Sequence, residues 1–454
     1  MTRSEEITMQ KPSRTTACAI FAATLLIFSA SPIHHMGDSK YSMLVSYSVM
    51  KRGTFALDGY GLPRPVVGQQ PGFATAGESY QLEVVNGRLF YWFPPGSSIL
   101  SIPFVAVLEL VGMSPVNPDG TYNRVGEILI QVSIAGFLMA GFAALLFLMS
   151  RLILPPWWSV LIALSGVLGT QVWSTASRGL WSHTWGVVLV GCVVLMLLAQ
   201  EKREQPLNPM LAATLLTWSY FVRPTNIVSI ITISLYILIF RRSLFIRYAV
   251  TAAVWLVAFM VYSWHNFSQL FPTYFRGALL GFGLFWTAVA GNLVSPSRGL
   301  FVFVPVLAFL AYLLARYRTS LPFPRLVVLA LTTAIGHLLL ISTLIAWWAG
   351  HSYGPRYFTD MVPWFALLGI LGVRAMLDLR DRAGTQSGPF GFRIELAVAG
   401  ILLSLSVLIH AHGAFSHAAR MWNVVPVDVD QQPVRVWDWR RPQFLAGLLP
   451  LQPP

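Results

Sequence analysis

The sequence predicts an all-α, polytopic transmembrane bundle of about 11 spans, and three observations lead there. Of the 454 residues, 55% are hydrophobic and only 11% are charged, whereas a soluble domain carries roughly 25% charged residues. The apolar residues fall into runs close to the ~20 that a spanning helix requires. The net charge of +13 sits mainly in short segments between those runs, the pattern of a membrane protein oriented by the positive-inside rule. A soluble enzyme and a nucleic-acid-binding module are thereby excluded.

In chain order the runs predict spans at 15–31, 126–149, 157–172, 183–199, 207–222, 224–240, 245–264, 300–315, 326–346, 357–373 and 394–411. The run 207–222 is the weakest, being short and opening beside Pro206 and Pro209. A further apolar stretch, 97–113, contains Pro103 and Glu109 and reads as interfacial or re-entrant. With the N-terminus in the cytoplasm and eleven spans, the inner side holds 16 cations against 7 anions, net +9. The outer side holds 15 against 11, net +4. If 97–113 spanned, the basic clusters at 241–247, 316–325 and 374–393 would move outside, which the rule disfavours. Ser29-Ala30-Ser31 also fits a signal-peptide cleavage site, but later spans already direct the chain to the membrane.

Residues 1–411 then form one bundle. Residues 32–125 are its long first extracytoplasmic loop, carrying surface helices, and 265–299 are a second long outer segment. The outer tail is 412–454, whose Trp437, Trp439, Arg440 and Arg441 read as interfacial anchors. Loops of such length usually carry function. Cys18 and Cys192 lie in apolar runs and give neither a disulfide framework nor metal spacing.

The first loop opens with His34-His35-Met36-Gly37-Asp38-Ser39. Tyr41, Leu44, Val45, Val49 and Met50 then recur at helical spacing up to Lys51-Arg52-Gly53, which predicts an amphipathic surface helix. Asp38 has two readings: the N-cap of that helix, or a carboxylate that takes a proton from a substrate hydroxyl. Arg88, Tyr91, Trp92 and Phe93 form an interfacial group, followed by a rigid bend at Pro94-Pro95-Gly96. Arg178, Arg223, Arg276, Arg298 and Arg356 each sit close to a span on the outer side. Outside the first loop and the tail, Asp360 is the one outward carboxylate. That excess of arginine points to an anionic ligand, most simply a phosphate, with lipid headgroups as the competing partner.

His34, His35, His183, His265, His351, His410, His412 and His417 fall near the outer face, without an HExxH motif or a tight triad, so no metal ligand is assigned. His337 lies mid-span and reads as hydrogen-bonded within the bundle. A Walker A motif, a dinucleotide glycine fingerprint and a Gly-x-Ser-x-Gly elbow are absent, which argues against nucleotide-driven transport. Apart from Glu109 and His337, the apolar segments read as almost free of ionisable residues, fewer than an ion-coupled transporter needs at its midplane.

The order of short motifs carries a resemblance. Gly37-Asp38-Ser39-Lys40-Tyr41 follows the first span, then come Tyr91-Trp92-Phe93-Pro94-Pro95-Gly96 and Pro103. Phe221-Val222-Arg223-Pro224-Thr225, Ser295-Pro296-Ser297-Arg298-Gly299-Leu300-Phe301 and Gly354-Pro355-Arg356-Tyr357-Phe358 follow. Over roughly residues 15–375 this resembles the GT-C class of integral-membrane glycosyltransferases, nearest to bacterial protein mannosyltransferases and the lipid A aminoarabinose transferase. The resemblance implies a helical bundle in the inner (cytoplasmic) membrane with its active site facing the extracytoplasmic side. It implies transfer of a hexosyl or pentosyl group from a polyprenyl-phosphate donor, with inversion, to a lipid, glycan or protein hydroxyl in the cell envelope.

In that class an acid just after the first span is the base, which carries over to Asp38. Many members have two adjacent acids where this chain has Asp38-Ser39, so a second acid is unassigned and a divalent metal stays open as a cofactor. Arg356, Arg298 and Arg223 match the phosphate-binding arginines. Lys40, Tyr41, Arg88, Tyr91, His183 and Tyr357 are further candidate substrate contacts. Asp58, Glu78 and Glu83 are loop carboxylates without motif support. Two other classes compete: a transporter or flippase of a lipid-linked or anionic solute, and a non-catalytic scaffold for envelope assembly. A cavity joining Asp38 to Arg356 and opening sideways into lipid would favour the enzyme.

Overall fold

The computed structural model describes residues 14–65, 80–203, 205–276, 280–383 and 389–448; Glu78 and the last six residues lie outside them. Helix α1 (Arg14–Ala30) leads into α2 (Ser42–Arg52), a hairpin of β1 (Leu82–Val85) and β2 (Arg88–Tyr91), and α3 (Gly96–Leu110). Then come α4 (Arg124–Arg151), α5 (Pro156–Leu168), a π-helical turn (Val172–Ala176), α6 (Ser182–Glu201), α7 (Pro209–Val222), α8 (Ile227–Phe240) and α9 (Arg242–Phe267). The chain continues through α10 (Phe285–Val294), α11 (Leu300–Phe303), α12 (Val306–Arg316) and α13 (Pro324–Ser342). A 3-10 turn (Arg356–Met361) then precedes α14 (Val362–Ala383), α15 (Pro389–Phe415) and α16 (His417–Met421).

The protein is mostly helical. Among the described residues, six helical segments are long and apolar enough to cross a membrane: α4, α6, α9, α13, Arg356–Arg382 and Gly391–Phe415. The other expected spans coincide with shorter apolar helices, and the shortening has local causes. Pro305 lies between α11 and α12 and splits the run 300–315, because proline supplies no N–H to the helix ladder. The run 157–172 leaves α-helix at Gly169 and re-forms as the π turn. Helix α10 falls inside the expected loop 265–299 and packs beneath Trp347.

Helix α4 is the organising element. Its Ile130, Ile134, Phe142 and Leu146 are fully buried, and it packs against α1, α5 and α6. Helix α9 is the opposite case. Its Ile246, Val250, Val254, Val257 and Val261 are 58–73% exposed along one face, an apolar stripe that suits lipid contact.

The first loop has its own small core of Tyr41, Leu44, Val45, Leu57, Tyr60, Leu82, Leu89 and Tyr91. Its hairpin departs from the all-helical expectation. Leu82 pairs with Tyr91 and Val85 with Arg88, leaving Asn86-Gly87 as the two-residue turn. Both turn residues have positive φ, 51° and 77°, as a type I′ turn requires.

Helix α3 packs on α2, with Lys51 and Glu109 3.0 Å apart, and its first residue abuts the end of α7. A Cβ on Gly96 would stand 2.5 Å from the backbone of Phe221 and Val222. Gly96→Ala is therefore expected to cost on the order of 2–3 kcal/mol, read as a lowered Tm; an unchanged Tm would contradict this close packing. The contact seats the Pro94-Pro95-Gly96 bend beside Arg223, and so ties the first loop to the bundle.

Candidate active site

Asp38 does not cap α2. Tyr41 holds the cap position, with φ 75° and no side-chain bond, and the Oε1 of Glu127 accepts the Met43 N–H at 3.2 Å. Other side chains hold the backbone around Asp38. Gln81 donates to the Gly37 carbonyl at 3.1 Å, and the Tyr91 hydroxyl donates to the Asp38 carbonyl at 2.5 Å. Ser39 donates to Gln131 Oε1, and Gln131 Nε2 donates back to the Ser39 carbonyl, both at 2.8 Å.

With its backbone so fixed, the Asp38 carboxylate takes its partners from other segments. It accepts from Arg356 Nη1 at 2.8 Å and from the Tyr80 hydroxyl at 3.3 Å. Its side chain is 32% exposed and that of Arg356 8%, so the carboxylate is the more accessible member of the pair. Burial and the neighbouring Asp38 charge raise the Tyr80 and Tyr91 hydroxyls well above the usual tyrosine range; both therefore stay protonated and act as donors. The Trp181 ring lies 4.3 Å from the Arg356 guanidinium and packs against Gly37.

The 3-10 turn that carries Arg356 also carries Tyr357 and Asp360. Asp360 is fully buried. Its Oδ2 accepts from Arg223 Nε at 2.7 Å and lies 3.0 Å from His183 Nδ1. Arg223 Nη1 reaches Ser182 Oγ at 3.1 Å. The guanidinium carbons of Arg223 and Arg356 each lie 5.4 Å from the Tyr357 ring centre. His337 is within the bundle, its Nε2 2.8 Å from the Tyr357 carbonyl. Arg356 and Tyr91 thus meet Asp38 directly and Tyr357 flanks Arg356, while Arg223 lies across the Tyr357 ring and His183 joins Arg223 through Asp360.

Other candidates go elsewhere. Arg298 is 1% exposed, and all five of its N–H groups are used. It donates to the carbonyls of Trp348 (2.6 Å), Ser297 (2.7 Å) and Gly350 (3.0 Å), to Gln443 Oε1 (2.6 Å) and to Asn423 Oδ1 (2.9 Å). Nothing is left for a phosphate, and the expected contact there is replaced by a clamp on the tail. Arg178 is likewise fully buried, donating to the Ser31 carbonyl at 2.5 Å and to the Phe28 carbonyl; it closes the C-terminal end of α1. Arg88 bonds Thr54 on the hairpin's exposed side, and Tyr41 is buried in the loop core with Lys40 over its ring. These three are not brought to Asp38.

The tail also packs on the bundle through Gln443. Gln443 is buried, donates to the Ser352 carbonyl at 2.9 Å and accepts the Gly354 N–H at 3.1 Å, so the tail braces the segment just before Arg356.

Sequence reading missed Gln131, Glu127, Tyr80, Gln81 and Trp181. Glu127 and Gln131 were the most legible, a polar pair four residues apart at the start of an otherwise apolar span. Ser39, which stands where a second acid was sought, is buried and committed to Gln131.

Glu83, a loop carboxylate, is buried in the hairpin, and burial raises it to about 7 against the smaller opposing effects of Thr273 and Arg276. A raised carboxyl favours the protonated fold, so its contribution is present below about pH 4.5 and is lost as pH rises through 7. Glu83→Gln is expected to flatten the fall in Tm across that window and to stabilise by up to about 3 kcal/mol at pH 8. Parallel pH–Tm curves for the two proteins would contradict this. His35 is lowered to about 3 by burial and then by Arg420, Arg178 and Arg356, so it adds no charge beside Asp38.

Among the described residues one metal-like group occurs, away from Asp38: His351 Nε2 lies 2.8 Å from Asp428 and 3.6 Å from Asp430, at the surface. A cavity of about 370 Å³ opens between α5, α12, α14 and α15. Its lining is apolar apart from Ser165 and Thr170, and it includes neither Asp38 nor Arg356. Asp38 and Arg356 are in direct contact, 2.8 Å apart. Neither a protein-family model nor a curated protein matches the chain.

Proposed function

We propose that the chain is a multi-pass inner-membrane glycosyltransferase of about 11 spans. On this reading it moves a sugar from a polyprenyl-phosphate donor to an acceptor hydroxyl on the extracytoplasmic side. The observation that carries the reading is the Asp38–Arg356 pair, a carboxylate and a guanidinium brought to 2.8 Å from positions 318 residues apart. One group suits a base and the other suits a phosphate, and glycosyl transfer from a phosphate ester needs both.

The step is a single displacement. The acceptor oxygen attacks the anomeric carbon and passes its proton to the Asp38 carboxylate. The bond from that carbon to the phosphate oxygen breaks, and the electron pair leaves on the lipid phosphate, where Arg356 neutralises it. One collision of the sugar carbon with one nucleophile inverts the centre. Before the donor arrives, Arg356 is held by Asp38. The donor phosphate replaces that partner, so binding itself frees the carboxylate to act as a base. Tyr80 keeps its hydrogen bond and orients the freed carboxylate.

The test is a transfer assay on purified protein in liposomes with polyprenyl-phosphate sugars. Consumption of the donor with appearance of a glycosylated acceptor is expected. Movement of a lipid-linked or anionic solute across the bilayer, with the donor unconsumed, would replace the enzyme by the transporter.

A further inference from the structure

We propose that Asp360 is the positioning residue of a two-arginine anion clamp, holding Arg223 by its Nε beside the same Tyr357 ring that Arg356 flanks. This rests on the reading above, and it adds to the expected Arg223 contact the residue that sets it in place.

A carboxylate with no exposed surface among helices is expensive unless paired and hydrogen-bonded. Asp360 meets that need through one oxygen, Oδ2, which receives Arg223 Nε at 2.7 Å and faces His183 Nδ1 at 3.0 Å. Its other oxygen, Oδ1, has no partner among the described residues, and neither does His183 Nε2. A neutral imidazole that gives its one N–H to the carboxylate from Nδ1 leaves Nε2 as a bare acceptor.

The grip on Arg223 is the informative feature. A pair that served only to neutralise buried charge would favour the two-point fork, in which both carboxylate oxygens meet two guanidinium nitrogens. Here a single oxygen takes Nε, and Ser182 Oγ takes Nη1 at 3.1 Å. Nη2 is left without a described partner, on a guanidinium whose orientation is fixed at two points. Arg356 is also held through one carboxylate oxygen: Asp38 Oδ2 takes Nη1, and Nε is buried without a partner among the described residues.

Both cations are set by one short element. In the turn Arg356–Met361, Arg356 faces Asp38 and Asp360, four residues on, faces Arg223. Thr359 Oγ1 closes the turn on the Arg356 carbonyl at 2.6 Å, and His337 sits on the Tyr357 carbonyl. The distance between the two arginines is therefore a property of the turn, and Asp360 is the part of it that sets Arg223.

The experiment measures farnesyl phosphate binding by the full chain in phosphatidylcholine nanodiscs, together with Tm, for the wild type and variants. Asp360→Asn and Arg223→Lys are each expected to weaken binding about tenfold in folded protein. The double variant should be no weaker than either, because both changes remove the same oriented guanidinium. Asp360→Glu should regain most of the loss. If Asp360→Asn fails to fold, Arg223→Lys carries the test, since it keeps the charge balance and loses the two-point orientation. Binding by folded Asp360→Asn or Arg223→Lys within twofold of the wild type would overturn the clamp, as would losses that multiply in the double variant. A wild type that binds no farnesyl phosphate would overturn this proposal and the functional reading together. A wild type that binds, with variants equal to it, overturns only the clamp.

Discussion

Asp38→Asn is expected to lower sugar transfer by about a thousandfold, the scale of a lost general base, while the protein keeps its Tm within a few degrees. The backbone of this segment is held independently of the carboxylate, by Gln81 at Gly37, Tyr91 at Asp38 and Gln131 at Ser39. An asparagine fills the same space and still accepts from Tyr80, but it takes up no proton at neutral pH. Asp38→Glu should recover little, because the longer side chain moves the carboxylate off the line from Tyr80 to the acceptor. Rates are compared by initial transfer velocity at saturating donor. A loss below about tenfold in Asp38→Asn would remove the carboxylate from the base role.

The second large effect concerns stability. Arg298→Met is expected to destabilise by on the order of 5 kcal/mol, because it strands five acceptors, four of them buried, that one guanidinium now satisfies. Four of the five lie outside its own turn, in the segments at Trp348, Gly350, Asn423 and Gln443. The tail should therefore detach first, and limited proteolysis should cleave between residues 416 and 443 at temperatures where the wild type resists. Transfer should fall as well, since Gln443 braces Ser352 and Gly354 just before Arg356. Arg298→Lys, with three donors in place of five, should lie between. A tail as resistant in Arg298→Met as in the wild type would refute the clamp.

Much of the helical layout was legible because apolar runs report helices directly. The limits of that reading are physical. Run length cannot show where α-helix gives way to a π turn at Val172 or to a 3-10 turn at Arg356, since those depend on packing at the helix ends. The hairpin was legible in principle from Asn86-Gly87, the strongest short signal for a two-residue turn, and the surrounding helical pattern obscured it.

At the site, Asp38 and Arg356 stood out from local context, the one after a span and the other between proline and tyrosine. What sequence could not rank was which of the span-flanking arginines were already occupied. Arg298 and Arg178 look as available as Arg356 in a charge count, yet they are satisfied almost wholly by backbone carbonyls and neutral amides, which a charge count does not see. Asp38 likewise looked like a cap for α2, because Glu127, the residue that serves that helix, comes 84 residues after Met43.

The central claim is that one ion pair, Asp38–Arg356, divides into a base and a phosphate contact when the donor binds. The most direct test is the dissociation constant of a polyprenyl-phosphate sugar for Asp38→Asn set beside its transfer rate. Removing the competing carboxylate should leave Arg356 freer for phosphate, so the account predicts binding equal to or up to about tenfold tighter than the wild type, with transfer lost. Donor binding that collapses together with transfer in this variant, or transfer that persists, would contradict it.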